Sequence, residues 1–153
     1  MPDFPASDPE FAQRVRRSFD RQTIMGLLGA RITRIEAGLV EIELPYREDL
    51  CQQHGFFHAG VTSTIADSAG GYAAFSLFPA DASVLTVEFK VNLLAPADGD
   101  LLRAVGRVVK PGRTLTVTEV DVHVAKGGTE KACARMTQTL ICLSGRPDMP
   151  PAG

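Results

Sequence analysis

From about Ala59 to Leu77 the chain runs through GVTSTIADSAGGYAAFSLF, apolar or small in every direction around a helix and carrying one charge, Asp67. A helix lying on a surface keeps a polar stripe; one without it must be enclosed by the rest of the fold. The chain has only 153 residues for that purpose, enough for one core, so a single domain over residues 1–153 is expected.

The material for the enclosure lies on both sides. Before the helix, Ile32 and Ile35 precede Gly38, and Val40, Ile42 and Leu44 alternate with Glu41 and Glu43, the pattern of a hairpin with a half-buried second strand. After it come four stretches dense in Val, Leu, Thr and Ile, at about 82–94, 101–109, 114–124 and 131–143. Pro96-Ala97-Asp98-Gly99, Pro111-Gly112 and Gly127-Gly128 separate them, and such short turns predict antiparallel neighbours. Near the start, Ser7-Asp8-Pro9-Glu10 reads as a helix cap, followed by Phe11, Val15 and Phe19 on one face and Arg14, Arg16 and Arg17 on the wet side. This predicts a helix over about 8–19, a core over about 30–143 and a flexible tail over 145–153 that carries no chemistry. The layout is α+β, a long central helix against an antiparallel sheet.

Composition excludes several roles. Hydrophobic residues are 44% and charged residues 22%, as in globular domains that fold in water. Sixteen basic against eighteen acidic residues leave a net charge of -2, which argues against nucleic acid or anionic lipid as a partner. The start lacks an export signal and no run of eighteen apolar residues occurs, so neither export nor a membrane span is expected. Cys51, Cys133 and Cys142 are odd in number and lack the close pairs of a zinc or redox site, which fits a reducing cytoplasm and no metal. Nucleophile-elbow, Walker and dinucleotide motifs are absent.

The candidate chemistry begins at Gln52-Gln53-His54-Gly55-Phe56-Phe57-His58-Ala59-Gly60. Ala59 and Gly60 stand where the helix starts, so backbone N–H groups without intrahelical partners meet the positive end of the helix dipole, a setting for a developing oxyanion. Asp67 is a poor mid-helix residue among apolar neighbours; it reads as a compensated structural carboxylate or as a general base or nucleophile. Eight residues of helix put Ala59 and Asp67 about 12 Å apart, too far for one small group to touch both. If both act on one carbonyl, the helix start of one subunit must meet Asp67 of another, which predicts an obligate homodimer with two shared sites and with Gly70-Gly71 and Ala73-Ala74 easing the approach of two helices. His123 falls on one side of a strand with Leu115, Val117, Glu119 and Asp121 and reads as a sheet-surface residue.

The stretch QQHGFFHAGVTSTIADSAGGYAA, then VLTVEFKVNLLAPA and VVKPGRTLTV, resembles the hotdog-fold acyl-CoA thioesterases of the phenylacetic-acid-degradation type over about residues 30–143. The nine-residue interval from His58 to Asp67 is that family's interval. The resemblance implies a hotdog fold, an acyl-CoA or aryl-CoA substrate, a dimer that pairs again into a dimer of dimers, and no cofactor beyond the CoA of the substrate. It implies further that Asp67 attacks the thioester or activates a water, that the Ala59 N–H polarises the carbonyl with His58 shaping the turn, and that Gln52, where the family commonly has Asn, positions the water. Gln53 and His54 compete for that last role. Thr86 falls where a Ser or Thr supports the site from the facing strand. Gly60, Lys110, Gly112 and Arg113 would serve CoA, the last three beside its nucleotide end. Ala59 departs from the family's first motif Gly, adding a methyl where the acyl group passes. A hydratase using His54, or an acyl-CoA binding or sensing domain, are the competing uses of the same fold.

Overall fold

A computed structural model describes residues 3–149; residues 1–2 and 150–153, including the last four of the expected flexible tail, lie outside the described residues. Two helices, α1 (Phe11–Arg21) and α2 (Thr23–Leu28), precede the hairpin of β1 (Arg31–Glu36) and β2 (Leu39–Pro45). The enclosed helix α3 (Ala59–Phe75) follows, then β3 (Ser83–Leu93), β4 (Leu101–Lys110), β5 (Leu115–Lys126) and β6 (Thr129–Leu143). All six strands form one antiparallel sheet in the order β1-β2-β4-β5-β6-β3. The sheet wraps α3, which packs most closely over β4 and β2. This is the α+β hotdog layout expected from the sequence. No helix is long and apolar enough to cross a membrane among the described residues.

The seat of α3 on the sheet is a contact between backbones. A Cβ at Gly106 of β4 would lie 2.4 Å from the carbonyl carbon and oxygen of Ala69 and 2.6 Å from the nitrogen of Gly70. Only a residue without a side chain lets the helix come that near. Around this seat Ile65, Ala66, Ala69, Ala73 and Phe75 are fully buried, facing Val40, Ile42, Leu102, Ala104, Val120, Val122 and Met136 of the sheet.

Several sequence expectations change. The first helix begins at Phe11, not at residue 8, because Asp8 folds the chain into a turn, its carboxylate accepting from the Glu10 N–H at 2.9 Å. Ser7 is no cap; its hydroxyl donates to the Leu77 carbonyl. Arg14, expected on the wet face, is buried beside Phe75: it pairs with Asp8 at 2.9 Å and donates to the carbonyls of Pro79, Phe75 and Phe78. Phe75 closes α3 and its carbonyl also takes the Phe78 N–H, while Phe78 and Pro79 lie just beyond the helix; the buried cation is compensated there by Asp8 and by carbonyls at the negative end of the helix dipole. Helix α2 had no counterpart in the reading of the sequence.

Strands β3 and β4, expected as neighbours, are separated. The link from Leu94 to Asp100 crosses the ends of β6 and β5, with Leu94 N–H donating to Cys133 and Asp100 N–H to Ala125. Strand β3 thereby becomes the sheet edge, paired only with β6. Leu85, Val87, Phe89 and Leu93 are 45–58% exposed along it, an apolar edge with unspent backbone donors and acceptors. Gly70, Gly71, Ala73 and Ala74 are buried within the protomer and do not present a surface to a second helix. The described part of the tail is held at Asp148: Arg21 of α1 forms an ion pair with it and donates to its carbonyl at 3.1 Å.

Gly106→Ala cannot be relieved by moving a side chain, because the clash is with backbone. It is expected to cost about 3 kcal/mol and to lower the melting temperature by on the order of 10 °C, read by thermal denaturation.

Candidate active site

The start of α3 is built by the loop before it. His58 is the N-cap in extended conformation; its N–H donates to the Leu50 carbonyl and its Nδ1 accepts from the Gly60 N–H at 2.8 Å. The His58 carbonyl takes the N–H groups of Val61 and Thr62. With Gly60 thus occupied, Ala59 holds the N–H at the helix start that has no partner among the described residues. Gln52 folds the preceding turn: its Oε1 accepts from the His54 N–H at 2.5 Å and more weakly from Phe56, which leaves its amide nitrogen uncommitted. Gln52, Phe56 and Ala59 line a cavity of about 490 Å³ whose opposite wall is Leu93, Leu94 and Pro96. Gln53 and His54 are exposed and do not line it. Phe57, the second of the two consecutive phenylalanines, is buried edge-on to Tyr46.

Asp67 lies two turns further along and opens into a different cavity of about 510 Å³. Its Oδ1 accepts two hydrogen bonds, from the Thr86 hydroxyl at 2.7 Å and from the Gln138 amide at 2.9 Å. Oδ2 has no partner, and since the His123 Nδ1 is the only buried side-chain polar atom left unsatisfied among the described residues, Oδ2 reaches the accessible space of the cavity. The same cavity is walled by Tyr72 and Ser68 of α3, by Ser18 and Arg21 of α1, by Gln22 between α1 and α2, and by Asp148 and Met149 of the tail. Ser18 and Gln22 both bond the Tyr72 hydroxyl, and Ser68 donates to Gln22, so this wall is polar and internally satisfied. Burial raises the Tyr72 phenol above its ordinary range.

Of the residues named from sequence, Asp67 and Thr86 meet in one cavity, and Gln52 and Ala59 meet in the other, with His58 and Gly60 shaping its helix start. The two groups do not meet within the protomer. Lys110 ends β4, and Gly112 and Arg113 lie in the β4–β5 turn. Leu115 pairs with Ile141, which pairs with Leu85 beside Thr86, so the turn stands at the Asp67 end of the sheet. Gly112 approaches the Leu115 carbonyl so closely that a Cβ would lie 2.0 Å from it. Lys110 and Arg113 are exposed and make no ion pair among the described residues. His123 is half-buried on the outer face of the sheet, opposite Arg103 of β4. Gln138 was missed, although a signal existed: it interrupts the inward row Ala134, Met136, Leu140, Cys142 with an amide.

Residues 54–131 match the family model described as the thioesterase superfamily, about half of the chain. A solved thioesterase family protein from Silicibacter pomeroyi is 55% identical, with a TM-score of 0.87 over 88% of this chain and 99% of that one. The Escherichia coli PaaI protein from the phenylacetic acid degradation operon is 19% identical but superposes with a TM-score of 0.81 over 93% of this chain and 99% of its own. A 1,4-dihydroxy-2-naphthoyl-CoA hydrolase of Listeria monocytogenes is 27% identical over 123 residues, 78% of this chain and 91% of the relative.

Cys133, in the wall of the Ala59 cavity, is 1% exposed, and burial pushes its thiol from an ordinary 9.0 up to about 11. The folded state therefore disfavours the thiolate, so this contribution to stability is present below pH 9 and is lost as pH rises through 11. The urea midpoint is expected to fall across that window, and to fall less steeply in Cys133→Ala.

Proposed function

This chain belongs to the thioesterase superfamily, and from that premise we propose that it hydrolyses acyl-CoA or aryl-CoA thioesters to the free acid and CoA in a site shared between two copies. The observation that carries the reading is the uncommitted Oδ2 of Asp67, tied down through Oδ1 and open to a cavity. A water adds to the thioester carbon as its proton passes to Oδ2 and the carbonyl π pair moves onto oxygen, giving an oxyanion held by the Ala59 N–H of the second copy. When the carbonyl re-forms, the C–S bond breaks and the departing thiolate takes the proton. Direct attack by Oδ2 would use the same atom and give an anhydride that water then cleaves. Water is the only co-reactant, so no cofactor is required.

Pairing supports this reading. The two groups sit about 12 Å apart on one helix, beyond the reach of one carbonyl. The apolar edge of β3 offers the surface on which a second copy adds an antiparallel strand, laying the two α3 helices in opposite directions. Gln52 is left to hold the water with its free amide nitrogen, and Lys110 and Arg113 meet the phosphates of CoA as exposed, uncompensated cations. Two such dimers pairing into a tetramer belong to the same proposal and are read by light scattering.

The first test is release of free thiol from a panel of short, long, aromatic and hydroxylated acyl-CoA esters. At least one class is expected to turn over, with a loss of roughly 10²–10⁴-fold in Asp67→Asn. No release from any member, or full activity in Asp67→Asn, overturns the reading.

Ala59→Pro tests the shared site. Proline at the first helical position keeps the helix and removes only the N–H, and the extended His58 suits a following proline. Ala59→Pro and Asp67→Asn are each expected to lose at least about 10²-fold in rate. Refolded together at equal amounts they should recover about a quarter of wild-type activity, since half the dimers are mixed and each carries one intact site. No recovery would mean that each site lies within one copy.

A further inference from the structure

Gln138 is wholly buried on the inward face of β6, where every neighbouring inward position is apolar or cysteine. An amide there is costly unless both of its ends are satisfied. They are: Oε1 accepts from the Thr118 hydroxyl of β5 at 3.2 Å, and Nε2 donates to Asp67 Oδ1 at 2.9 Å. The orientation is forced, since the reversed amide would set its carbonyl oxygen against a carboxylate, acceptor against acceptor. The helix also makes room for this one contact. A Cβ at Gly70 would lie 1.8 Å from Gln138 Oε1 and 2.8 Å from Thr118 Oγ1, so α3 gives up a side chain and some helix propensity where the amide crosses it. Positions on α3, β5 and β6 thus converge on a single oxygen of Asp67 from inside the core, while Thr86 reaches the same oxygen from the β3 edge.

We propose that Gln138 is a positioning residue for hydrolysis: held by Thr118 and admitted by Gly70, it fixes Asp67 through Oδ1 so that Oδ2 faces the reacting carbon. The inference rests on the reading of Asp67 as the catalytic carboxylate. Gln138 itself touches no substrate. Thr86 alone, on an exposed strand, leaves the carboxylate free to turn about its bond to that hydroxyl; the buried second donor removes the turn. What Gln138 supplies is therefore orientation, which acts on the rate of the bound complex and not on the affinity for CoA.

The test uses Gln138→Met, similar in length and without a donor, and Thr118→Val, which leaves Gln138 in place but releases its far end. Both are measured by thiol release in the wild-type and the Asp67→Asn backgrounds, with thermal melting alongside. Gln138→Met is expected to lower kcat by about 10²-fold with KM within about threefold, and Thr118→Val to lower kcat by roughly a tenth of that factor. In the Asp67→Asn background neither substitution should lower the residual rate further, because a residue that acts through Asp67 has nothing left to position. Unchanged kcat in both variants overturns the proposal. So does a rise in KM alone, or a fall repeated in full without the Asp67 carboxylate, which would mark a packing role. Should Gln138→Met fail to fold, Thr118→Val decides by the same readings. Full activity of Asp67→Asn by itself would strike the catalytic reading instead, which keeps the two failures apart.

Discussion

The rest of the molecule depends on how closely α3 lies on the sheet. At Gly106 the helix backbone touches the strand backbone with no side chain between them. An enclosed helix that approaches at ordinary distance leaves room for large side chains; one seated this low forces small residues along its own lower face, hence Ala66, Ala69, Gly70 and Ala73. It also brings Asp67 within reach of an amide on β6, the third strand beyond the hairpin that opens the sheet. At the end of α3 the Arg14 guanidinium, itself held by Asp8, adds a buried cation against the carbonyls of Phe75 and Phe78.

Much of this was legible because it is local. The enclosed helix, the hairpin and four later strands follow from residue type and period, and Asp67 stands out as the one charge in an apolar run. What escaped is what depends on distant partners. Arg14 looks like a wet-face arginine until the end of α3 is folded against it, and its periodicity carries no trace of Pro79 or Phe78. Strand order escaped because a seven-residue link can be a loose hairpin or a crossing, and only the pairing of Leu94 with Cys133 and of Asp100 with Ala125 decides. Gln138 was visible as an anomaly in an apolar row, yet its meaning needs the helix glycine, the threonine and the carboxylate together. Gly70 shows the converse error: its small size marks a close approach, but of the protomer's own amide and of Gly106 on the sheet.

The start and the middle of α3 carry different kinds of chemistry, and the loop and strand next to each follow suit. The start has one uncommitted N–H, a glutamine turn and apolar walls; the middle has a carboxylate and a polar wall of hydroxyls from α1 and α3 and the Gln22 amide. A hydrolytic site wants both kinds of surface, one to draw electrons toward oxygen and one to deliver water, and a single straight helix cannot bend them together.

The exposed edge of β3 has a bearing on how the chain comes to be folded in the first place. Leu85, Val87 and Phe89 border a row of backbone groups that any extended polypeptide can join, not only a finished copy of this protein. On the proposed pairing, a newly released chain would be divided between that assembly and adhesion to other nascent strands, a division that depends on chain concentration.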